Sequence, residues 1–584
     1  MHHNEGSANR RSLPFTAPAT HLHPRNLPRM NAAAPTLEQI RDFKGKYPIQ
    51  LWYLFGTEMW ERFCFYGLRG MLTVFMATQL GMDDKAANLQ YGAIQAFVYA
   101  FTFIGGVFAD RVLGFQKSLF WGASLMILGG FVIALAPQEL FYIGICFNII
   151  GTGFFKPNIS TMVGQLYADG DHRRDAGFGL FYAGINLGAF LGGLLMVWIG
   201  KGYSWRLAFA LVGVVMIISL INFVYRRRSF GPIGLSPLRA EMPVSTKRLL
   251  EWGTYLLSLL TIPVIYLMVT NTHYTDLFMY TVGPLALAYL FYSMSRMRAE
   301  EDPGMASSWH LVLTATVALT GLLLVLSALP ISIAPPISVV SYAAAACVVF
   351  WIITIVRSNT VQRKLHAALV FILFSILFWA FFEQSGGSLS LFALYNLKAD
   401  LFGLAIDPNS VNNAANSLFV IAFAAPLGLL WLWLSKRKAE PNSVVKFGLG
   451  FLLLGAAFYI FKSTMAFADA DGITSLEVFT LAYFVITFGE LCLSPIGLSL
   501  MTKLSPLKVQ GLMMGMWFLA SAYGQYVAGL LGAGMSTADP AASNLDKLRA
   551  YTDGYGQLGI YALIAGAVLV AISPLVRRLM RGVH

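Results

Sequence analysis

The sequence predicts an all-α polytopic membrane protein, and three observations carry that prediction. The chain has 584 residues, 57% of them hydrophobic and only 12% charged, with a mean hydropathy of +0.63; this is far too apolar for a soluble fold. Its apolar residues gather into sixteen runs long enough to cross a bilayer, near 49–76, 90–109, 118–136, 140–165, 177–199, 207–225, 249–270, 276–295, 309–329, 338–356, 365–386, 414–434, 444–466, 474–500, 511–534 and 558–576. Finally, the basic residues alternate in sidedness. With a cytoplasmic N-terminus, the outer loops hold only Lys85, Lys201, Arg206, Lys398, Lys462, Lys547 and Arg549, and the interior of the membrane holds Arg62, Arg69 and Lys156. All other Lys and Arg then face the cytoplasm, which predicts a plasma-membrane (cell inner membrane) protein with both termini inside. The net charge of +12 is explained by this distribution, so no nucleic-acid partner is expected.

Residues 1–48 are rich in Pro, Ala, Arg and His and have no apolar core, so they read as a cytoplasmic tail and not as a cleaved leader. The first run then holds the most informative stretch of the chain, Gly56-Thr-Glu-Met-Trp-Glu-Arg-Phe-Cys-Phe-Tyr-Gly-Leu-Arg69. Glu58, Glu61, Arg62, Phe65, Tyr66 and Arg69 recur at helical spacing and line one stripe. A charge at the bilayer centre costs roughly 2.5–3.5 kcal/mol, so this stripe must face a polar interior. Either it holds helices together as internal ion pairs or it lines a binding cavity, and charges of alternating sign suit the cavity.

The second run ends in Gly105-Gly-Val-Phe-Ala-Asp110-Arg111-Val-Leu-Gly114, a Gly-rich cytoplasmic turn resembling the loop signature of the major facilitator superfamily, where Asp110 and Arg111 are expected to latch a helix end. Tyr99, earlier in that run, either faces the cavity or packs between helices. Lys156 precedes Pro157 in an apolar span, and the proline frees the carbonyl four residues back, so Lys156 is expected at a break pointing inward. Asn186 lies among small residues, where it either reaches the cavity or bonds across helices. Residues 227–364 contain four runs with few polar residues and read as lipid-facing linker spans without a site. The last third supplies Phe378-Trp379 and Glu383-Gln384, Asn416, Gly489-Glu490 before a Ser494-Pro495 kink, and Trp517 with Ser521. Cys64, Cys146, Cys347 and Cys492 lie in apolar runs without metal-ligand spacing, so no disulfide, metal or cofactor is expected. No His cluster, HExxH, GxSxG or paired-Asp catalytic motif is read at a membrane face, which argues against a membrane-embedded enzyme.

Five linked motifs in order resemble the proton-coupled oligopeptide transporter family, a branch of the major facilitator superfamily. They are Glu58-x-x-Glu61-Arg62-Phe63 with Tyr66-Gly67; Phe155-Lys156-Pro157-Asn158; Phe181-Tyr182 with Asn186; Phe378-Trp379 with Glu383-Gln384; and Gly489-Glu490 with Leu493-Ser494-Pro495. The resemblance implies a major facilitator fold of two six-helix bundles, residues 49–226 and 365–584, around a cavity open alternately to each side, with linker spans at 227–364. It implies a symporter that imports di- and tripeptides with protons. Arg62 and Lys156 would take the peptide carboxylate and Glu490 the amine, with Asn186 and Asn416 on the backbone or amino terminus and Tyr66, Tyr99, Trp379, Trp517 and Ser521 shaping pockets. Glu58, Glu61, Arg62 and Glu383 would couple protons, while Arg69 with Glu383, Lys156 with Glu490, and Asp110 with Arg111 would gate. The alternative is a major facilitator carrier of another small anion or a drug-like substrate, which needs no acid at the opposite pole. The chain departs from the family pattern at Phe65, where a tyrosine is often found, and in having four linker runs where bacterial relatives usually have two.

Overall fold

The computed structural model describes residues 34–168, 170–301, 308–329, 334–537, 539 and 541–580. Most of the N-terminal tail, the loop at 302–307 and the last four residues lie outside the described residues, as do the side chains of Ser494 and Pro495 on which the kink was expected. A short helix, α1 (Leu37–Arg41), precedes the N-terminal bundle of α2 (Ile49–Thr78), α3 (Asp84–Phe108), α4 (Phe115–Leu135), α5 (Phe141–Gln165), α6 (Arg173–Gly202) and α7 (Trp205–Arg226). The linker follows as α8 (Val244–Leu260), α9 (Ile262–Thr270), α10 (Thr272–Glu301), α11 (Ser308–Ala328) and α12 (Ile337–Val356). The C-terminal bundle is α13 (Thr360–Phe382), α14 (Ser388–Asn396), α15 (Pro408–Lys436), α16 (Ser443–Ser463), α17 (Leu476–Leu504), α18 (Leu507–Met535) and α19 (Asn544–Met580). The pairs α8–α9 and α13–α14 each make one crossing, so the fold has six, four and six spans, matching the sixteen apolar runs.

Local chemistry sets many of the helix starts. Asp83 accepts a hydrogen bond from the Ala86 amide at α3, Asn359 forms a capping box with Gln362 at α13, and Asn442 accepts from two amides at α16. Such caps satisfy donors that the first turn leaves open. Thirteen helices among the described residues are long and apolar enough to cross a membrane by hydropathy alone. The charged helix α2 is not one of them, so pairing and burial, more than hydropathy, place it in the bilayer.

Close packing inside the bundles relies on glycine at crossings. A Cβ on Gly105 of α3 would lie 2.2 Å from the Gly153 carbonyl oxygen of α5. Gly153 is four residues before Pro157, so its carbonyl is the one the proline frees. Helix α5 nonetheless runs unbroken from Phe141 to Gln165 with Pro157 inside it. The expected break at Lys156 is therefore absent, because a neighbouring helix packs against the freed group and keeps the turn helical.

Two other expectations are corrected. The tail is not wholly outside the fold: Ile40 of α1 is buried, and Arg41 donates to the Gln165 carbonyl at the end of α5. Arg173 at the start of α6 donates to the Phe43 carbonyl and lies over the Phe43 ring at 4.0 Å. The same guanidinium hydrogen-bonds Asp171 and holds its carboxyl down at about 2. The linker, in turn, exposes Trp252 and Tyr342 but is docked on both bundles. Lys117 pairs with Glu251, and Trp121 donates to Ser258, tying α8 to α4. Tyr526 of α18 donates to Asp276 of α10, and Trp351 of α12 donates to His366 of α13, whose ring stacks on His310 of α11. These polar contacts were not anticipated, because single Trp, Tyr and His residues in apolar runs carry no pattern of their own.

The glycine crossing gives a direct test. Gly105→Val is expected to destabilise the bundle by about 1–3 kcal/mol through overpacking and to lower the melting midpoint of the detergent-solubilised protein. Gly106→Ala, whose Cβ would meet Pro157 at an ordinary 3.9 Å, is expected to leave that midpoint within a degree or two of wild type.

Candidate functional site

Helix α2 brings the first group together. Arg62 Nε bonds Glu61 and lies 3.1 Å from Glu58 Oε1, and all three residues are at most 2% exposed. The guanidinium also sits 4.9 Å from the Phe65 ring centroid, so Phe65 contributes a π face where a tyrosine would add a hydroxyl. Glu58 Oε2, Glu61 Oε1 and Arg62 Nη2 have no hydrogen-bond partner among the described residues. Leaving such buried atoms unbonded costs about 1–3 kcal/mol each. Lys156 points the same way: its Nζ lies 4.2 Å from the Tyr99 centroid and 5.7 Å from that of Phe65. Tyr99 is thus beside the cation, and it also packs against Met279 and Tyr526 of neighbouring helices.

The C-terminal bundle supplies the acid. Asn416 Nδ2 of α15 donates to Glu490 Oε2 of α17 at 2.9 Å and to Thr487 Oγ1 at 3.1 Å. Trp517 packs against Gly497, and Trp379 packs against Gly524 and the Phe378 and Phe382 rings. Ser521 lies half-buried on α18. Asn186 donates to the Tyr182 carbonyl of its own helix and bonds no other helix through that amide. Tyr66, Asn412, Asn416 and Tyr483 line a small cavity between the bundles that reaches Arg69.

The two bundles are joined by polar contacts at the end of α2 that carries Arg69. Arg69 pairs with Glu383 across the bundles and also donates to Tyr91 Oη and Ser385 Oγ, each at 2.8 Å. Asn412 donates to the Ser385 carbonyl and accepts from Tyr483, and Thr73 donates to the Gly386 carbonyl. At the rim, Lys201 of α6 pairs with Asp407 and donates to Asn409. Lys547 and Tyr551 of α19 engage Asp84 of α3, at 3.5 and 3.1 Å. Beneath them, α3 and α18 touch backbone to backbone, since a Cβ on Gly92 would lie 2.8 Å from the Gly529 Cα. Tyr91 was legible in principle, eight residues before Tyr99 on the same helical face. Lys201 and Lys547 read only as loop charges until the fold brought their partners near.

Two expected gates are not formed here. Among the described residues, Lys156 and Glu490 make no ion pair, because Glu490 is held by Asn416 while Lys156 rests on aromatic rings. Asp110 and Arg111 are exposed on the π-helical turn Ala109–Leu113 and form no ion pair among the described residues. Among the described residues, the polar contacts of Arg69, Lys201 and Lys547 between the bundles gather at the end of α2 that carries Arg69.

The chain matches the POT family over residues 116–239 and 332–546. It is 32% identical to the peptide transporter YePEPT of Yersinia enterocolitica subsp. palearctica, covering 92% of this chain and 96% of that protein. Similarity extends to the dipeptide and tripeptide permease A of Edwardsiella piscicida, at 27% identity over 92% of this chain and 96% of that one. Among solved structures, a variant of the peptide transporter POT in complex with alafosfalin shares the fold with a TM-score of 0.69 at 28% identity, over 94% of this chain and 100% of that one. The motifs on α2, α5, α13 and α17, the two-bundle fold and these matches agree, and the chain belongs to the POT family of membrane transporters.

Proposed function

We propose that the protein imports di- and tripeptides together with protons by alternating access, with both termini in the cytoplasm. The buried Arg62–Glu58–Glu61 cluster with its unbonded polar atoms carries this reading. A peptide is a zwitterion whose backbone hardly changes with sequence, so a tolerant site needs a positive pole, a negative pole and adaptable walls. Arg62 and Lys156 supply the first and Glu490 the second, with Asn186 and Asn416 for the backbone or amine and Tyr66, Tyr99, Trp379, Trp517 and Ser521 as walls. Two carboxylates beside one guanidinium in a low-dielectric site do not both ionise cheaply, which makes Glu58 and Glu61 a place for a proton. A peptide carboxylate at Arg62 draws off part of the cation's field and favours protonation of the pair, so binding and protonation reinforce each other. Protonating Glu383 would release Arg69 and loosen the outer seal. One proton moving through about 100 mV supplies roughly 2.3 kcal/mol, nearly two decades of accumulation.

The poles predict a binding pattern. Arg62→Ala or Lys156→Ala is expected to weaken recognition of the peptide carboxylate, and Glu490→Ala that of the amine, each by about 1.5–3 kcal/mol or roughly 10- to 150-fold. Competition against labelled dialanine in proteoliposomes measures this; amidated and acetylated dipeptides competing as well as free ones would refute the assignment.

Coupling predicts a separation of two activities. Glu58→Gln, Glu61→Gln and Glu383→Gln are each expected to abolish accumulation driven by an inward proton gradient, while at least one retains substantial peptide-for-peptide exchange. Concentrative uptake that survives all three changes, or that sodium drives at constant pH, rules out this mechanism.

The seal predicts rescue by exchange of charge. Arg69→Glu and Glu383→Arg should each impair transport, and the double variant should recover part of it. At the rim, Lys547→Asp should raise labelling of Asn413→Cys by an impermeant maleimide applied outside by roughly two- to five-fold, the weight of one partly exposed pair. Adding Asp84→Lys should lower it again.

A further inference from the structure

Between the linker and the C-terminal bundle lies a cavity of about 330 Å³ that has no part in the peptide site. Its walls come from α10, α11 and α12 on one side and α13 and α18 on the other, with Gly283, Val317, Cys347, Ile376 and Met516 among them. All of these positions lie in the middle of their helices, so the cavity sits within the hydrocarbon layer. We propose that it is a binding site for one acyl chain of a membrane phospholipid.

Four observations support this occupant. Interiors pack densely with few voids larger than a water molecule, and 330 Å³ falls within the range of small-ligand sites. The polar groups of the wall are already engaged: the Tyr523 hydroxyl donates to the Met279 carbonyl and accepts from the Gly283 amide. Thr320 donates to the Thr316 carbonyl, and Tyr280 is engaged by Tyr526. Water needs two to four polar partners to settle in a void, whereas an apolar void takes an apolar guest. The cavity also has a mouth on the bilayer, because Leu373 of α13 both lines it and is 37% exposed. Helix α12 is pinned to α13 near the cytoplasmic end, where Trp351 and Ser358 bond His366, and Ala344 and Cys347 face Leu373 and Ile376 farther out. A lipid chain entering past Leu373 would lie behind α13 and α18, the helices that carry Trp379, Trp517 and Ser521.

Reconstitution of the full chain in vesicles of a phosphatidylethanolamine bearing a diazirine in its acyl chain tests this, followed by illumination and mass mapping. The reading does not rest on peptide transport, since the label is read without any substrate. The expected result is an adduct on Met516, which is 5% exposed, alongside adducts on Tyr342, which is 75% exposed and marks ordinary contact with the bilayer. Val317→Phe and Cys347→Phe, which fill the void from two different helices, should remove the Met516 adduct and keep that on Tyr342. Wild-type protein labelled at Tyr342 but not at Met516 overturns the proposal. So does a Met516 adduct that persists in both filled variants, or one obtained only with a free diazirine fatty acid.

Discussion

The cost of ionised groups in a hydrocarbon layer organises this protein. Glu58, Glu61 and Arg62 are essentially inaccessible to solvent, yet they sit in a helix that crosses the bilayer. Removing such charges from water carries a penalty that only mutual pairing and further hydrogen bonds repay. On α2 the pairing is present but incomplete, since one guanidinium serves two carboxylates and three polar atoms stay unbonded.

The outer seal obeys the same physics with a different result. Arg69 has Glu383, Tyr91 and Ser385 around it, so its charge is well satisfied in this conformation. Lys201 and Lys547 hold the rim on two flanks, on α6–α15 and on α19–α3. Between them the bundles meet through small residues, with Gly92 against Gly529 and Asn413 against Gly70 and Gly193. Backbone-close contacts give dispersion without interlocked side chains, and ion pairs can be broken by changing one charge. A seal of this composition can separate without repacking a core. Away from that end, Lys156 and Glu490 stand apart, each stabilised by its own bundle.

The linker joins these two behaviours. Helices α8 and α9 are fastened to the N-terminal bundle, whereas α11 and α12 are fastened to α13. Helix α10 crosses between them, bonded to α18 through Asp276, Met279 and Gly283 while Phe278 packs on Phe97 of α3. Any motion of one bundle relative to the other must therefore strain or carry α10.

Much of this was legible in the residues alone. The sixteen apolar runs correspond to the helices in number and grouping, because the bilayer imposes its own length on every segment, although hydropathy alone marks thirteen helices among the described residues and omits α2. The stripe on α2 was readable for a similar reason: helical spacing converts Glu58, Glu61, Arg62 and Arg69 into one face, and four charges on one face have nowhere to go but inward. What tertiary structure alone decided was which partners meet. The Arg69–Glu383 pair was an expectation of the sequence reading, but nothing in it signalled that Lys201 would find Asp407 or that Asp84 would find Lys547 and Tyr551. Nor did it show that Lys156 would rest on Tyr99 and not on Glu490, or that Pro157 would leave α5 unbroken. Those outcomes depend on distances between groups hundreds of residues apart, and a local pattern has no term for such distances until the helices have packed.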